Sequence, residues 1–394
     1  MNDPKRISVL GATGSIGDST LSILTEEGAN DRFKVVALTA NSNVKKLAEA
    51  AIRTQAELAV IADETLFDDL KRALQGTATE VAAGQQAIDE AAAIPADTIV
   101  SAIMGAAALA PTLQAVRQGA NVALANKESL VCAGELLLKE SETHGATLLP
   151  VDSEHNAIFQ VLDRRERVEK LILTASGGPF RTLDIEDMIY VSPDQALAHP
   201  NWTMGAKISI DSATMMNKGL ELIEAAYLFR MDERNIDVLI HPQSIIHSMV
   251  CYDDGSVLAQ LGMPDMKTPI SYAIAWPHRM PVPGVERLDL AKLATLSFEA
   301  HDPVRFPAIN LARDAFRAGG VVPCVMNAAN EIAVESFLRR EIGFLSIVEL
   351  NRQVMDAFMS QSGASNAPSS FEDVFEIDRA ARQVASDLLK THAA

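Results

Sequence analysis

Three acidic side chains and a set of lysine, amide and hydroxyl side chains are spaced so that they could hold a hard cation and an anionic group. In Leu149-Pro150-Val151-Asp152-Ser153-Glu154-His155-Asn156, an extended backbone would send Asp152 and Glu154 to one side. Two carboxylates so placed can ligate Mg²⁺ or Mn²⁺ through oxygen. The same residues read equally as a helix N-cap with a first-turn glutamate, opening a helix over 155–163. Further on, Asn217 and Glu221 lie one helical turn apart with Lys218 beside them, and so share a face. Glu221 could complete a metal site, while Ser212, Asn217 and Lys218 could hold a phosphate by hydrogen bonds and one charge. The alternative is a solvated helix face. Asn126-Lys127-Glu128-Ser129 ends a short apolar run, the place where α/β sheets present ligands, although a solvated helix start has the same composition.

Two loops add donors. Ser176-Gly177-Gly178-Pro179 follows a strand-like run and exposes backbone N–H groups suited to an anion. His199-Pro200-Asn201-Trp202-Thr203-Met204-Gly205 places a histidine and one of two tryptophans in a Pro- and Gly-bounded loop. It reads either as a lid over a ligand or as a plug at a core edge. His241 and His247 lie in an apolar strand-like stretch and are read as structural.

Near the N-terminus, Gly11-Ala12-Thr13-Gly14-Ser15-Ile16-Gly17 follows an apolar run and opens a helix. Glycines there allow a tight turn and close approach to a pyrophosphate, and the helix N-terminus supplies N–H groups. A glycine-rich turn without ligand is the plain alternative. At the end of the second strand-like run stand Ala40-Asn41-Ser42-Asn43, then Lys45 and Lys46. NAD sites usually carry a carboxylate there for the ribose hydroxyls. Its absence favours NADPH, whose 2′-phosphate meets no repulsion, and Asn41 and Asn43 can also cap the next helix.

These residues need elements to position them. Short apolar runs at 7–10, 33–40, 57–62, 97–103 and 121–125 alternate with helical stretches such as 15–27 and 106–118. That pattern predicts an α/β domain with a doubly wound, Rossmann-like parallel sheet, ending near residue 150. Beyond it, 169–175, 237–250 and 256–261 read as strands, the last two joined by Asp253-Asp254-Gly255, a hairpin signal. This predicts an α+β domain. After residue 306 the pattern is helical at 307–318, 323–340, 344–359 and 375–390, which predicts a C-terminal helical domain.

Bulk properties limit the partners. The chain has 394 residues, which implies two or three domains, and a formal net charge of -18. That charge argues against a nucleic-acid binder but not against a small phosphorylated ligand. The three cysteines, Cys132, Cys251 and Cys324, form no CxxC pair, so neither a disulfide framework nor a thiolate zinc site is expected. A cytoplasmic location is the expectation, with no signal or transit peptide and no membrane span.

In order and spacing, GATGSIG, NKES, PVDSEHNAIFQ, TASGGPF, HPNWTMGAKISIDSATMMNKGLELIEA, IHPQSIIHSMV and NAANEIAVE resemble the 1-deoxy-D-xylulose 5-phosphate reductoisomerases of the non-mevalonate isoprenoid pathway. The likeness runs from about residue 5 to 390. It implies Asp152, Glu154 and Glu221 as ligands of Mg²⁺ or Mn²⁺. It implies Lys127, Ser153 and Glu154 at the substrate's oxygen-bearing carbons, and Ser176, Ser212, Asn217 and Lys218 at its phosphate. His199 would contact substrate from the lid, with Trp202 covering it. Lys127, Glu154 and His199 are the residues implied in catalysis. Thr13, Gly14, Ser15, Ile16, Asn41, Ser42, Asn43, Asn126, Glu128 and Gly205 are the residues expected at NADPH. Asn41 is a departure, since the family commonly has glycine there.

The resemblance also implies a homodimer. Its subunit would have an NADPH-binding domain (1–150), a catalytic and dimerisation domain (151–284), a connecting passage (285–305) and a helical domain (306–394). The implied reaction is isomerisation and reduction of 1-deoxy-D-xylulose 5-phosphate to 2-C-methyl-D-erythritol 4-phosphate, with NADPH and a divalent metal. The alternative is another NADPH-dependent dehydrogenase of a small phosphorylated substrate, such as one using a cysteine nucleophile. None of the three cysteines sits in the setting of an activated thiolate.

Overall fold

A computed structural model describes residues 3–200, 202, 204–360 and 366–392. Asn201 and Thr203 of the expected lid lie outside the described residues, as do 362–365 of the stretch 362–370, where the sequence SGASNAPSS predicts a loop between helices. The chain divides into two compact units. One comprises Met1–Ser129, Leu137–Asn156 and Asp265–Glu286, the other Leu130–Leu136, Ala157–Pro264 and Arg287–Ala394.

The first unit holds seven strands: β1 (Lys5–Leu10), β2 (Phe33–Ala40), β3 (Leu58–Ile61), β4 (Glu80–Ala83), β5 (Thr98–Ser101), β6 (Asn121–Leu124) and β7 (Thr147–Pro150). They form one sheet in the order β4-β3-β2-β1-β5-β6-β7, every pair parallel. The expected doubly wound sheet is therefore present. Its runs are apolar because both faces are covered: Ile7, Val9, Leu10, Val36 and Leu38 are all buried. The order reverses between β1 and β5, and at such a switch point a crevice opens beyond the carboxyl ends of the strands. The edge strands β4 and β7 were not foreseen.

The second unit has a mixed sheet of β8 (Val168–Ala175), β9 (Ile236–Ile240), β10 (Ile246–Tyr252), β11 (Val257–Leu261) and β12 (Glu299–Ala300), ordered β11-β10-β8-β9-β12. The expected hairpin is β10–β11, turning at Gly255 with φ 87°. The single strand expected over 237–250 is corrected. The chain breaks after Ile240, turns through Ser244 at φ 53°, and returns on the far side of β8, which pairs parallel with β9 and antiparallel with β10. The expected helices appear as Ala308–Ala318, Val322–Leu338, Ser346–Met359 and Phe371–His392. Their apolar stripes share one core with Leu171, Leu173, Ile210, Leu220 and Ile223.

A second correction concerns the acids near residue 152. The backbone there is not extended. Helix Ser153–Val161 begins directly after Asp152, Asn156 N–H donates to the Asp152 carbonyl at 2.8 Å, and Glu154 stands in the first turn.

Candidate active site

The glycine-rich turn has the shape its sequence demands. Gly11 has φ 89°, and a Cβ there would stand 2.6 Å from the Ala102 carbonyl oxygen, so only glycine fits beside the end of β5. Gly14 caps helix Ser15–Leu24 with no side-chain cap, leaving first-turn N–H groups for an outside anion. Thr13, Gly14, Ser15 and Ile16 are all partly or fully exposed. Asn41, Ser42 and Asn43 are exposed at the end of β2, the strand beside β1. There Asn43 Oδ1 caps helix Val44–Thr54 by accepting from Lys46 N–H at 3.1 Å, and Lys46 pairs with Asp18 at 2.9 Å.

One contributor was missed from sequence. Thr39, wholly buried, accepts the Gly11 N–H through Oγ1 at 3.0 Å. Its only signal was a hydroxyl inside an apolar run. Thr39→Val keeps the shape but strands that N–H, which should lower stability by about 1–3 kcal/mol. An unchanged urea midpoint would remove Thr39 from this role.

The segment after β6 is buried rather than solvated: Asn126, Lys127, Glu128 and Ser129 are 2%, 6%, 7% and 0% exposed. Asn126 Nδ2 donates to the Gly105 carbonyl (3.1 Å) and to Glu128 Oε2 (2.7 Å). Its Oδ1 accepts from Ser129 N–H (2.9 Å) and Oγ (2.6 Å). That amide is fully committed to shaping the turn. Lys127 Nζ forms an ion pair with Asp152, and Ser153 Oγ donates to Glu154 Oε2 at 2.5 Å. The first unit thus brings Lys127 to Asp152, and Ser153 to Glu154.

In the second unit, helices Ala206–Ala213 and Met216–Phe229 meet at Met215, which takes φ 64°, a left-handed conformation that bulky residues seldom adopt. The sharp junction carries Ser212 on one side and Asn217, Lys218 and Glu221 on the other. A solvated face is excluded: Lys218 is 4% exposed and Glu221 0%. The Glu221 carboxylate is held by Lys218 Nζ and Asn217 Nδ2, because a buried carboxylate needs a counter-charge and donors.

After β8, Gly177 and Gly178 have φ 85° and 67°, and a Cβ on Gly178 would lie 2.8 Å from the Ser212 carbonyl oxygen. This close approach sets the Ser176 loop against the helix bearing Ser212. His199 Nδ1 accepts from Trp202 N–H at 3.0 Å, which places the ring proton on Nε2, facing Ser176 Oγ at 3.0 Å. Ser176 Oγ also accepts from Gly178 N–H at 3.2 Å. Its hydroxyl proton therefore points to no acceptor among the described residues and is available to an anion. Trp202 is partly buried, and Gly205 is the N-cap of helix Ala206–Ala213.

His241 is structural, as expected. It is buried, its Nδ1 donates to the Ser297 carbonyl at 2.8 Å, and its Nε2 accepts from Ile245 N–H at 3.2 Å. Neither Cys132 nor Cys251 is an activated nucleophile. Hydrogen bonding with Cys324 and burial push the Cys132 thiol well up, and burial raises Cys251, so neither is a ready thiolate.

Comparison with known proteins places this architecture in one family. Residues 7–134 match the family model for 1-deoxy-D-xylulose 5-phosphate reductoisomerase. Residues 148–229 match its model for the C-terminal domain of that enzyme, and 261–384 that for the DXP reductoisomerase C-terminal domain. The 1-deoxy-D-xylulose 5-phosphate reductoisomerase of Zymomonas mobilis is 55% identical over 393 residues, covering 99% of both chains. That of Rhodospirillum centenum is 56% identical, over 98% of this chain and 94% of the relative. The Zymomonas enzyme solved with NADPH superposes with a TM-score of 0.91 at 54% identity, over 98% of this chain and 99% of that one. A DOX-P reductoisomerase solved with NADPH, fosmidomycin and magnesium does so with 0.91 at 43% identity, over 98% of each. With the glycine turn, the buried lysine–carboxylate pairs and the serine–histidine loop set in a fold that these relatives share along its whole length, the chain belongs to the 1-deoxy-D-xylulose 5-phosphate reductoisomerase family.

Proposed function

We propose that this chain converts 1-deoxy-D-xylulose 5-phosphate to 2-C-methyl-D-erythritol 4-phosphate, an isomerisation and reduction dependent on NADPH and a divalent metal, in non-mevalonate isoprenoid biosynthesis. The observation that carries this reading is the full-length relationship to enzymes of that name, whose solved structures contain NADPH and magnesium. The alternative of a cysteine-dependent dehydrogenase lacks its nucleophile.

The donor chemistry supports a residue-level assignment. Asp152, Glu154 and Glu221 offer only oxygen, which suits Mg²⁺ or Mn²⁺. Two of them are already paired with cations, Asp152 with Lys127 and Glu221 with Lys218, as carboxylates suited to receive a positive charge require. Once bound, the ion would act as a Lewis acid on the substrate's carbonyl and hydroxyl oxygens, and NADPH would supply the hydride. Asp152 and Glu221 would hold the ion, and Lys127 and Lys218, now paired with them, would serve as donors to the substrate oxygens and to the phosphate respectively. Ser176, Ser212 and Asn217 complete the phosphate cradle. His199 and Trp202 cover the substrate and limit water, and Ser153 and Glu154 complete its polar contacts. Thr13, Gly14, Ser15, Ile16, Asn41, Ser42, Asn43, Asn126, Glu128 and Gly205 line the NADPH site. In this reading 1–150 serve the nucleotide, 151–284 catalysis and dimerisation, and 306–394 form a supporting helical domain beyond the 285–305 passage. A homodimer in the cytoplasm is part of the same proposal. Three free cysteines suit a reducing compartment, and no helix among the described residues is long and apolar enough to cross a membrane.

The test is NADPH oxidation in the presence of 1-deoxy-D-xylulose 5-phosphate. Turnover should require Mg²⁺ or Mn²⁺ and stop with a chelator. NADH should be at least about tenfold poorer, on the order of 1.4 kcal/mol, because no carboxylate stands at 41–43. Full turnover in chelator would overturn the metal assignment, and equal efficiency with NADH the cofactor assignment.

A further inference from the structure

The NAANE segment contributes to a buried polar chain that ends beside Ser212. Asp211, the residue before Ser212 on helix Ala206–Ala213, is 1% exposed. Its Oδ1 accepts from Asn330 Nδ2 at 2.7 Å, and its Oδ2 meets Lys207 Nζ at 3.1 Å. Asn330, on helix Val322–Leu338, accepts through Oδ1 from Asn351 Nδ2 at 3.1 Å, and Asn351 lies on helix Ser346–Met359. Both asparagines are 0% exposed, in a core otherwise built of residues such as Ile210, Ala213, Ala329, Val334 and Leu350.

We propose that Asn330 is a positioning residue for the substrate's phosphate: through Asp211 it fixes the setting of helix Ala206–Ala213 and so the place of Ser212. The inference rests on the assignment of Ser212 to the phosphate made above. Packing of Ile210 and Ala213 alone would tolerate small rotations of the helix, since apolar contacts are not directional. A short bond to a carboxylate is directional, and a buried acid short of donors is strongly disfavoured. The chain therefore selects one rotation. Because the Ser212 carbonyl oxygen and the Ala213 Cα lie 2.8 and 3.2 Å from the place a Gly178 Cβ would take, that setting passes on to the Ser176 loop and, through Ser176 Oγ, to His199.

The experiment compares Asn330→Leu, Ser212→Ala and the double variant for three readouts: the Michaelis constant toward the sugar phosphate, the turnover number, and the dissociation constant of NADPH. Asn330→Leu should raise the Michaelis constant on the order of tenfold, with NADPH affinity unchanged and no further rise on a Ser212→Ala background. A merely structural asparagine would lower the melting temperature and the active fraction, hence turnover, and leave the Michaelis constant alone; that result overturns the inference. Ser212→Ala with an unchanged Michaelis constant instead overturns the phosphate assignment beneath it. Should Asn330→Leu fail to fold, Asp211→Asn combined with Asn330→Asp exchanges the acid and amide and restores the bond. The Michaelis constant of that exchange variant should lie within about threefold of the parent, whereas a tenfold rise in a variant of parental melting temperature overturns the proposal.

Discussion

Glu221→Gln is expected to lower turnover on the order of a thousandfold, about 4 kcal/mol of transition-state stabilisation. The substitution keeps the volume of a side chain that has no exposed surface but removes its charge. On the assignment proposed above, an oxygen-only ligand set then loses one of three carboxylates, and Mg²⁺ affinity should fall with it. Lys218, itself buried, loses its counter-charge as well. Glutamine can still accept a hydrogen bond through its carbonyl oxygen, so the fold should be weakened by less than the roughly 3–5 kcal/mol typical when one partner of a buried pair is deleted. NADPH affinity should be unaffected, since none of the residues assigned to the cofactor contributes to this pair. Calorimetric titration of Mg²⁺ in the presence of 1-deoxy-D-xylulose 5-phosphate, with a separate NADPH titration, reads both arms. Undiminished Mg²⁺ affinity in a folded Glu221→Gln protein would refute the shared metal site.

Gly17→Ala should be nearly as damaging, at the other cofactor. A Cβ on Gly17 would stand 2.5 Å from the carbonyl oxygens of both Gly11 and Ala12, and these are backbone atoms that cannot swing aside. Helix Ser15–Leu24 would have to back away by about an ångström to regain normal contact, carrying its first-turn N–H groups away from the NADPH site proposed above. The dissociation constant of NADPH should rise on the order of a hundredfold, about 2.7 kcal/mol, with a further loss of about 1–3 kcal/mol in stability from overpacking. Gly14→Ala is the contrast. Its Cβ would meet only the Gly11 carbonyl, at 3.7 Å, and its φ of -84° is ordinary, so the fold should be unharmed. Parental NADPH affinity and melting temperature in Gly17→Ala would show that the helix is not held where the structure has it.

Much of this was readable before the structure because the relevant signals are local. A glycine turn after an apolar run, or Lys218 beside Asn217 and one turn from Glu221, depends on neighbours within a few residues. What escaped depends on pairing. Thr39 matters because β1 and β2 lie side by side, and nothing in FKVVALTA says that its hydroxyl will face Gly11. The run 237–250 looks continuous because apolar residues resume after His241-Pro242-Gln243-Ser244, and only the pairing of β8 with both β9 and β10 shows that the chain must break. At Asp152 the two readings differed in backbone, extended or helical, and helix initiation at Ser153 decided between them. The Asp211–Asn330–Asn351 chain spans three helices distant in sequence, and isolated buried polar residues in a helical pattern carry no mark of their partners.

The interleaving of the two units bears on how the protein can be divided or inherited. A fragment ending at residue 150 retains all seven parallel strands, yet it lacks Asp265–Glu286, which belongs to the same compact unit. Within that unit Lys5 Nζ donates to the Ile274 carbonyl at 2.6 Å, and Asn156 Nδ2 donates to the Pro150 and Pro269 carbonyls at 2.8 and 3.4 Å. Its first strand is thus tied to a segment that the ribosome delivers more than a hundred residues after the last strand of the sheet. The first unit cannot be exchanged as a cassette by a single crossover, and it cannot finish folding on the ribosome until Ala157–Pro264 of the second unit has been made. A gene fusion or split reporter cut at residue 150 should leave the first unit incomplete, and one cut at residue 286 should part Ala157–Pro264 from Arg287–Ala394 of the second.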